Sequence, residues 1–204
     1  MSALTDLYQE ISLCRQCEIA KTRTTVVPGE GAENADILFI GEAPGWHEDQ
    51  QGRPFVGPSG QFLDSLLSSI NLKRPQVYIA NVIKCRPPGN RDPLPIEITN
   101  CQKWLDRQIA ILSPKIIVTL GRYSMAKFFP GKSISKIHGT AQTQNGITYF
   151  AMYHPAAALH QGNLRQVIEQ DMLKLPPLLT QAKAKMIKEP ESKSEPQPEQ
   201  LGMF

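Results

Sequence analysis

Four short apolar runs, each followed by a turn-rich or amphipathic stretch, constrain this chain more than any other feature. They are Asp36-Ile37-Leu38-Phe39-Ile40, Val77-Tyr78-Ile79-Ala80, Ile116-Ile117-Val118-Thr119-Leu120 and Thr148-Tyr149-Phe150-Ala151-Met152-Tyr153. All four are of strand length, and the first is too continuously apolar for a sheet with one wet face. It reads as a strand covered on both sides, as in a parallel sheet. Between the runs the apolar residues fall at helical spacing. Phe62, Leu63, Leu66, Leu67 and Ile70 follow Pro58, Ile96 to Leu112 predicts a helix, a short one is expected through Phe129, and Leu164 to Leu179 predicts a closing helix. Leu4, Leu7 and Ile11 predict another between Ser2 and Cys14.

In open α/β sheets ligands bind at the carboxyl ends of the strands. The first run opens there into GEAPGWHEDQQGRPFVGPSG, Gly41 to Gly60, with five glycines, three prolines and three acids. That mixture predicts a long irregular loop, and such loops usually carry function. Glu42 lies at the end of the first run, Asn81 at the end of the second and His154 at the end of the fourth. The three share one rim. Together they can position water, read the edge of an amide-like ligand and donate to a developing oxyanion. Phe55 adds a flat surface on which a planar ring could stack.

At 204 residues and 41% hydrophobic content, one core is expected. We read a domain over residues 1–181, a disordered linker over 182–199 where Lys, Glu, Pro, Ser and Gln take over, and a docking peptide over 200–204, formed by Gln200, Leu201, Met203 and Phe204. A net charge of +3 permits a nucleic-acid partner without requiring one. No run has signal-peptide or membrane-spanning length, which predicts a cytoplasmic protein without a membrane partner. In a reducing compartment four cysteines are metal ligands or free thiols before they are disulfides. Cys14 and Cys17, two residues apart, are at chelating spacing in a tight turn, and Cys85 and Cys101 follow.

The combination of GEAPG at Gly41 to Gly45, Glu48-Asp49, GRPFVG at Gly52 to Gly57, Asn81, HPAA at His154 to Ala157 and the four cysteines resembles the family-4 uracil-DNA glycosylases. These are the iron–sulfur branch of the uracil-DNA glycosylase superfamily, and the resemblance covers roughly residues 1–180. It implies a three-layer α/β/α sandwich on a four-stranded parallel sheet. It also implies hydrolysis of the N-glycosidic bond of uracil in single- and double-stranded DNA, by a monomeric, monofunctional enzyme that flips the base and leaves an abasic site.

The same resemblance assigns roles. Asn81 pairs with uracil, Phe55 stacks on it, and Glu48 blocks the thymine methyl. His154 donates to uracil O2, and Glu42 with the Ala43 backbone holds the attacking water. Cys14, Cys17, Cys85 and Cys101 bind a [4Fe–4S] cluster, with zinc as the competing occupant of four thiolates. Leu159 is expected as a wedge in the DNA, and Lys84, Arg86 and Arg165 as phosphate contacts. The QLGMF tail resembles peptides that dock on the bacterial sliding clamp. Trp46-His47 departs from the acids common in the relatives and receives no role. Two other classes compete, an iron–sulfur redox protein and a zinc-stabilised nucleic-acid-binding module without catalysis.

Overall fold

The computed structural model describes residues 2–188. Its sheet has six strands: β1 (Glu30–Gly31), β2 (Ile37–Gly41), β3 (Tyr78–Asn81), β4 (Ile116–Leu120), β5 (Ala141–Gln144) and β6 (Ile147–Met152), in the order β1-β3-β2-β4-β6-β5. The middle four are parallel, as expected. The difference from a four-stranded sheet lies at its margins, where β1 pairs antiparallel with β3 and β5 with β6. Neither edge strand carries an apolar pattern. β1 is two residues long, and Ala141 to Gln144 are exposed throughout. The pairing of β5 comes from the hairpin turn at Asn145 and Gly146, both at positive φ.

The described helices are α1 (Ala3–Leu13), α2 (Trp46–Gln51), α3 (Pro58–Ser69), α4 (Pro95–Leu112), α5 (Arg122–Phe128), α6 (Ile134–Ile137), α7 (Pro155–His160), α8 (Gly162–Met172) and α9 (Leu175–Lys188). Alternation along each buried strand divides them into layers. Ile37 and Phe39 of β2 join the core formed with α3, α8 and α9. Leu38 and Ile40 face α1 and α4 in a second core. The result is the α/β/α sandwich.

Three local readings change. The stretch after β2 contains the helix α2, closed by Gly52 at φ 68°. The closing helix is two, α8 and α9, which breaks near Leu173. The composition shift at Ala182 does not end α9, since Ala182 is itself buried in the first core and the helix continues to Lys188. Residues 189–199 of the expected linker, and Gln200, Leu201, Met203 and Phe204 of the tail, lie outside the described residues. No helix among the described residues is long and apolar enough to cross a membrane.

Candidate active site

The chain passes from β2 to β3 on one side and to β4 on the other, so the strand order reverses beside β2. Ligands in open α/β sheets occupy that crevice. A cavity of about 380 Å³ opens there, lined among others by Glu42, Ala43, Glu48, Phe55, Asn81 and His154. All six residues expected in a pocket meet in it.

Asn81 closes β3 opposite Gly41 in the parallel ladder. It is 1% exposed, yet neither Oδ1 nor Nδ2 of its carboxamide has a hydrogen-bond partner among the described residues. Such orphaned buried groups are rare in folded proteins and costly unless a ligand completes them. Glycine at 41 is required by this approach, because a Cβ there would collide with Asn81 Oδ1 and with the Phe55 ring.

Phe55 is held at φ 52°, an unfavourable conformation for a bulky residue. Distant groups impose it. Arg74 Nη1 donates to the Phe55 carbonyl at 3.0 Å and Nη2 to that of Pro54 at 2.6 Å, while Gly60 leaves the Phe55 backbone room that any Cβ would occupy. The Phe55 ring stacks against that of His154, with centroids 5.4 Å apart and the planes inclined by 29°.

His154 caps α7. The Ala156 backbone N–H donates to its Nδ1 at 3.1 Å, so the single proton of the neutral ring sits on Nε2. Burial pushes its pKa down to about 4, against a smaller opposing pull from Glu48. The imidazole is therefore neutral at physiological pH and has one N–H to donate. Gly121, at φ 89°, lets the His154 side chain approach the end of β4.

Glu42 is raised to about 7, mainly by burial and further by Asp92, with Arg122 opposing. Arg122 donates to Asp92 at the rim. Glu48 is a different kind of acid. Its Oε1 accepts from the Val56 and Gly57 N–H groups, each at 2.9 Å, and its Oε2 from Gly45 N–H at 3.0 Å. It clamps both ends of the segment around α2 as well as lining the cavity.

Lys84 requires a correction. It is 1% exposed, and its ammonium donates to the Asn81 carbonyl at 2.8 Å and to Gln108 Oε1 at 2.6 Å. It cannot reach a phosphate. Burial lowers its amine to about 8, opposed by Cys101 and Cys85. Arg86 is half-buried and donates to Asn90 Oδ1. Arg165 is exposed, with its guanidinium 4.6 Å from the Phe62 ring centroid and Nε donating to Glu169. Leu159 projects from α7 at 48% exposure.

Across the second core, Cys14, Cys17, Cys85 and Cys101 line one small cavity with Arg23 and Trp104. Among the described residues no group of three or more His, Cys, Asp or Glu side chains is set to hold a single metal ion. The thiols ring a cavity instead. Its wall is rich in donors: Arg23 Nη1 reaches Cys85 Sγ at 3.0 Å, the Lys84 N–H reaches Cys101 Sγ at 3.3 Å, and the buried indole N–H of Trp104 has no partner among the described residues. Four thiols with N–H groups directed at sulfur suit a thiolate-bound inorganic group.

Sequence reasoning missed Arg74, Asp92, Arg122 and Gln108. Each acts on a residue at least 19 positions away, and nothing local marks them.

A profile described as the uracil DNA glycosylase superfamily matches residues 28–174. The type-4 uracil-DNA glycosylase of Sulfurisphaera tokodaii is 47% identical, the alignment covering 86% of this chain and 84% of the relative. That of Archaeoglobus fulgidus is 44% identical, covering 86% and 92%, and that of Thermotoga maritima 40%, covering 81% and 89%. On this similarity over most of its length, the chain belongs to the uracil DNA glycosylase superfamily, in the type-4 branch.

Proposed function

We propose that this protein hydrolyses the N-glycosidic bond of uracil in single- or double-stranded DNA and leaves an abasic site for base excision repair. The observation that carries the reading is the Asn81 carboxamide, buried in the cavity with its donor and acceptor both free. Asn81 Nδ2 donates to uracil O4 and Oδ1 accepts from N3–H. Cytosine presents the opposite pattern, which a site of this kind can reject by about 10⁴–10⁵. Phe55 receives the ring, and stacking worth roughly 1–3 kcal/mol offsets part of the flipping cost. Glu48, held rigid by its three N–H donors, forms the wall against a C5 methyl.

As the C1′–N1 bond breaks, its electron pair goes to uracil, and His154 Nε2–H stabilises the charge at O2. A water held by Glu42 and the Ala43 backbone bonds to C1′ and passes a proton to the carboxylate. A pKa near 7 suits that exchange. Among the described residues no lysine lines the cavity, which supports a monofunctional enzyme. Leu159 fills the stack vacated by the base, and Arg86 and Arg165 contact phosphates. Cys14, Cys17, Cys85 and Cys101 hold a [4Fe–4S] cluster, which pins the end of α1 to the segment after β3. The protein acts as a cytoplasmic monomer, and Gln200, Leu201, Met203 and Phe204 dock it on the sliding clamp.

The test is uracil release from a uracil-containing oligonucleotide, read by alkali cleavage. Asn81→Asp and His154→Ala should each lose most of it; parent-like rates in both would sink the mechanism. A colourless protein containing zinc would remove the cluster, and unaltered clamp binding after deletion of residues 200–204 would remove the docking peptide.

A further inference from the structure

Asn81 and Lys84 are buried alike, three residues apart, and treated in opposite ways. The Asn81 side chain has no hydrogen-bond partner among the described residues, whereas the Lys84 ammonium donates to Asn81 O and Gln108 Oε1. Gln108, fully buried on α4, donates in turn to the Pro28 carbonyl at 2.8 Å and to Tyr78 Oη at 3.3 Å, and Tyr78 Oη meets Tyr8 Oη of α1. At its backbone, Lys84 donates to Cys101 Sγ and accepts from Val27 N–H at 2.8 Å. No carboxylate is paired with this ammonium among the described residues. An apolar side chain of similar length would fill the space without desolvating an amine. What the amine supplies is a fixed hold on the main chain of Asn81.

Such a hold matters because a carboxamide without hydrogen bonds of its own is oriented only by its backbone and by packing. Recognition sites tolerate about 0.5 Å of error. We propose that Lys84 is a positioning residue for uracil recognition: its ammonium ties the Asn81 carbonyl to Gln108, and its backbone N–H joins that tie to the cysteine site through Cys101. The inference rests on the reading of Asn81 as the uracil-binding group.

The test compares the full-length parent with Lys84→Met. Uracil affinity is measured by calorimetric titration with free uracil, and DNA affinity by anisotropy with a uracil-free single-stranded oligonucleotide. Visible spectrum and thermal melting report the cysteine site and the fold. Lys84→Met should weaken uracil binding on the order of tenfold while uracil-free DNA binds within about twofold of the parent. A folded Lys84→Met protein with the parent's spectrum and the parent's uracil affinity overturns the proposal. If Lys84→Met does not fold, Gln108→Met decides. It leaves Lys84 in place and removes its outer acceptor, and should weaken uracil binding by about threefold; unchanged affinity there also overturns the proposal. A parent that neither binds nor releases uracil overturns the reading of Asn81 itself, and its own titration shows which of the two has failed.

Discussion

The two halves of the segment after β2 treat a carboxylate in opposite ways. In the later half Glu48 accepts three backbone N–H groups and holds the chain around α2. In the earlier half the Glu42 carboxylate accepts no hydrogen bond among the described residues, although its backbone carbonyl takes the Ile83 N–H at 3.2 Å, and burial with Asp92 raises the side chain to about 7. A carboxylate supplied with donors becomes an anchor, and one deprived of them becomes a reactive group. The same division separates Lys84, which is paired, from Asn81, which is not. In this cavity Asn81 and the Glu42 carboxylate are left incomplete, while Lys84 and Glu48 hold the adjoining chain.

The strongest test of this contrast is Glu42→Gln. Single-turnover uracil release should fall by about 10²–10⁴. The folded state favours protonated Glu42, so this residue contributes stability at low pH that is lost as pH rises through about 7. Glu42→Gln should therefore melt above the parent at pH 8 and level with it at pH 4. A large loss of stability at both pH values would make Glu42 an anchor like Glu48.

Glu48→Gln should show the opposite profile. It forfeits charge-assisted acceptors for backbone donors, lowering stability by about 2 kcal/mol at neutral pH, as read by chemical denaturation. Its folded fraction should lose less activity than Glu42→Gln. If activity falls as far with stability unchanged, the division between the two acids is wrong.

The pH profile sharpens the comparison. As Glu42 ionises, the single-turnover rate should climb about tenfold between pH 6 and 8, and in Glu42→Gln it should be flat over that window. His154 stays neutral down to about 4, so it adds no second inflection there. For folding, its depressed pKa means stability falls as pH drops from the ordinary histidine range toward about 4. The smallest effect belongs to Arg122→Met. Removing the cation that opposes the rise in Glu42, and freeing Asp92, should move the midpoint alkaline by under about one pH unit, since the pair is exposed. A shift toward acid would show that Arg122 does not act on Glu42.

Much of this arrangement was legible in local pattern. Continuous apolar runs marked the four parallel strands, and Glu42, Asn81 and His154 stood where those runs end. Lys84 misled because a lysine between a strand end and RPP looks like a rim cation. The acceptor that buries it, Gln108, lies 24 residues further on. The edge strands β1 and β5 were illegible because they bury almost nothing, so no periodicity marks them. Helix α9 crossed the composition boundary because packing of Ala182 against the first core outweighs the polar bias of its neighbours.

The sequence by itself determined the strands, the rim on which the reactive side chains gather and the family to which they point. Burial and backbone period are properties of neighbours along the chain. Only the tertiary structure decided which polar groups are completed and which are left open: Glu48 by Gly45, Val56 and Gly57, Lys84 by Gln108, and the Asn81 side chain by nothing among the described residues. A hydrogen bond forms between groups that the fold brings within about 3 Å of each other, and no local pattern records which distant residue arrives there.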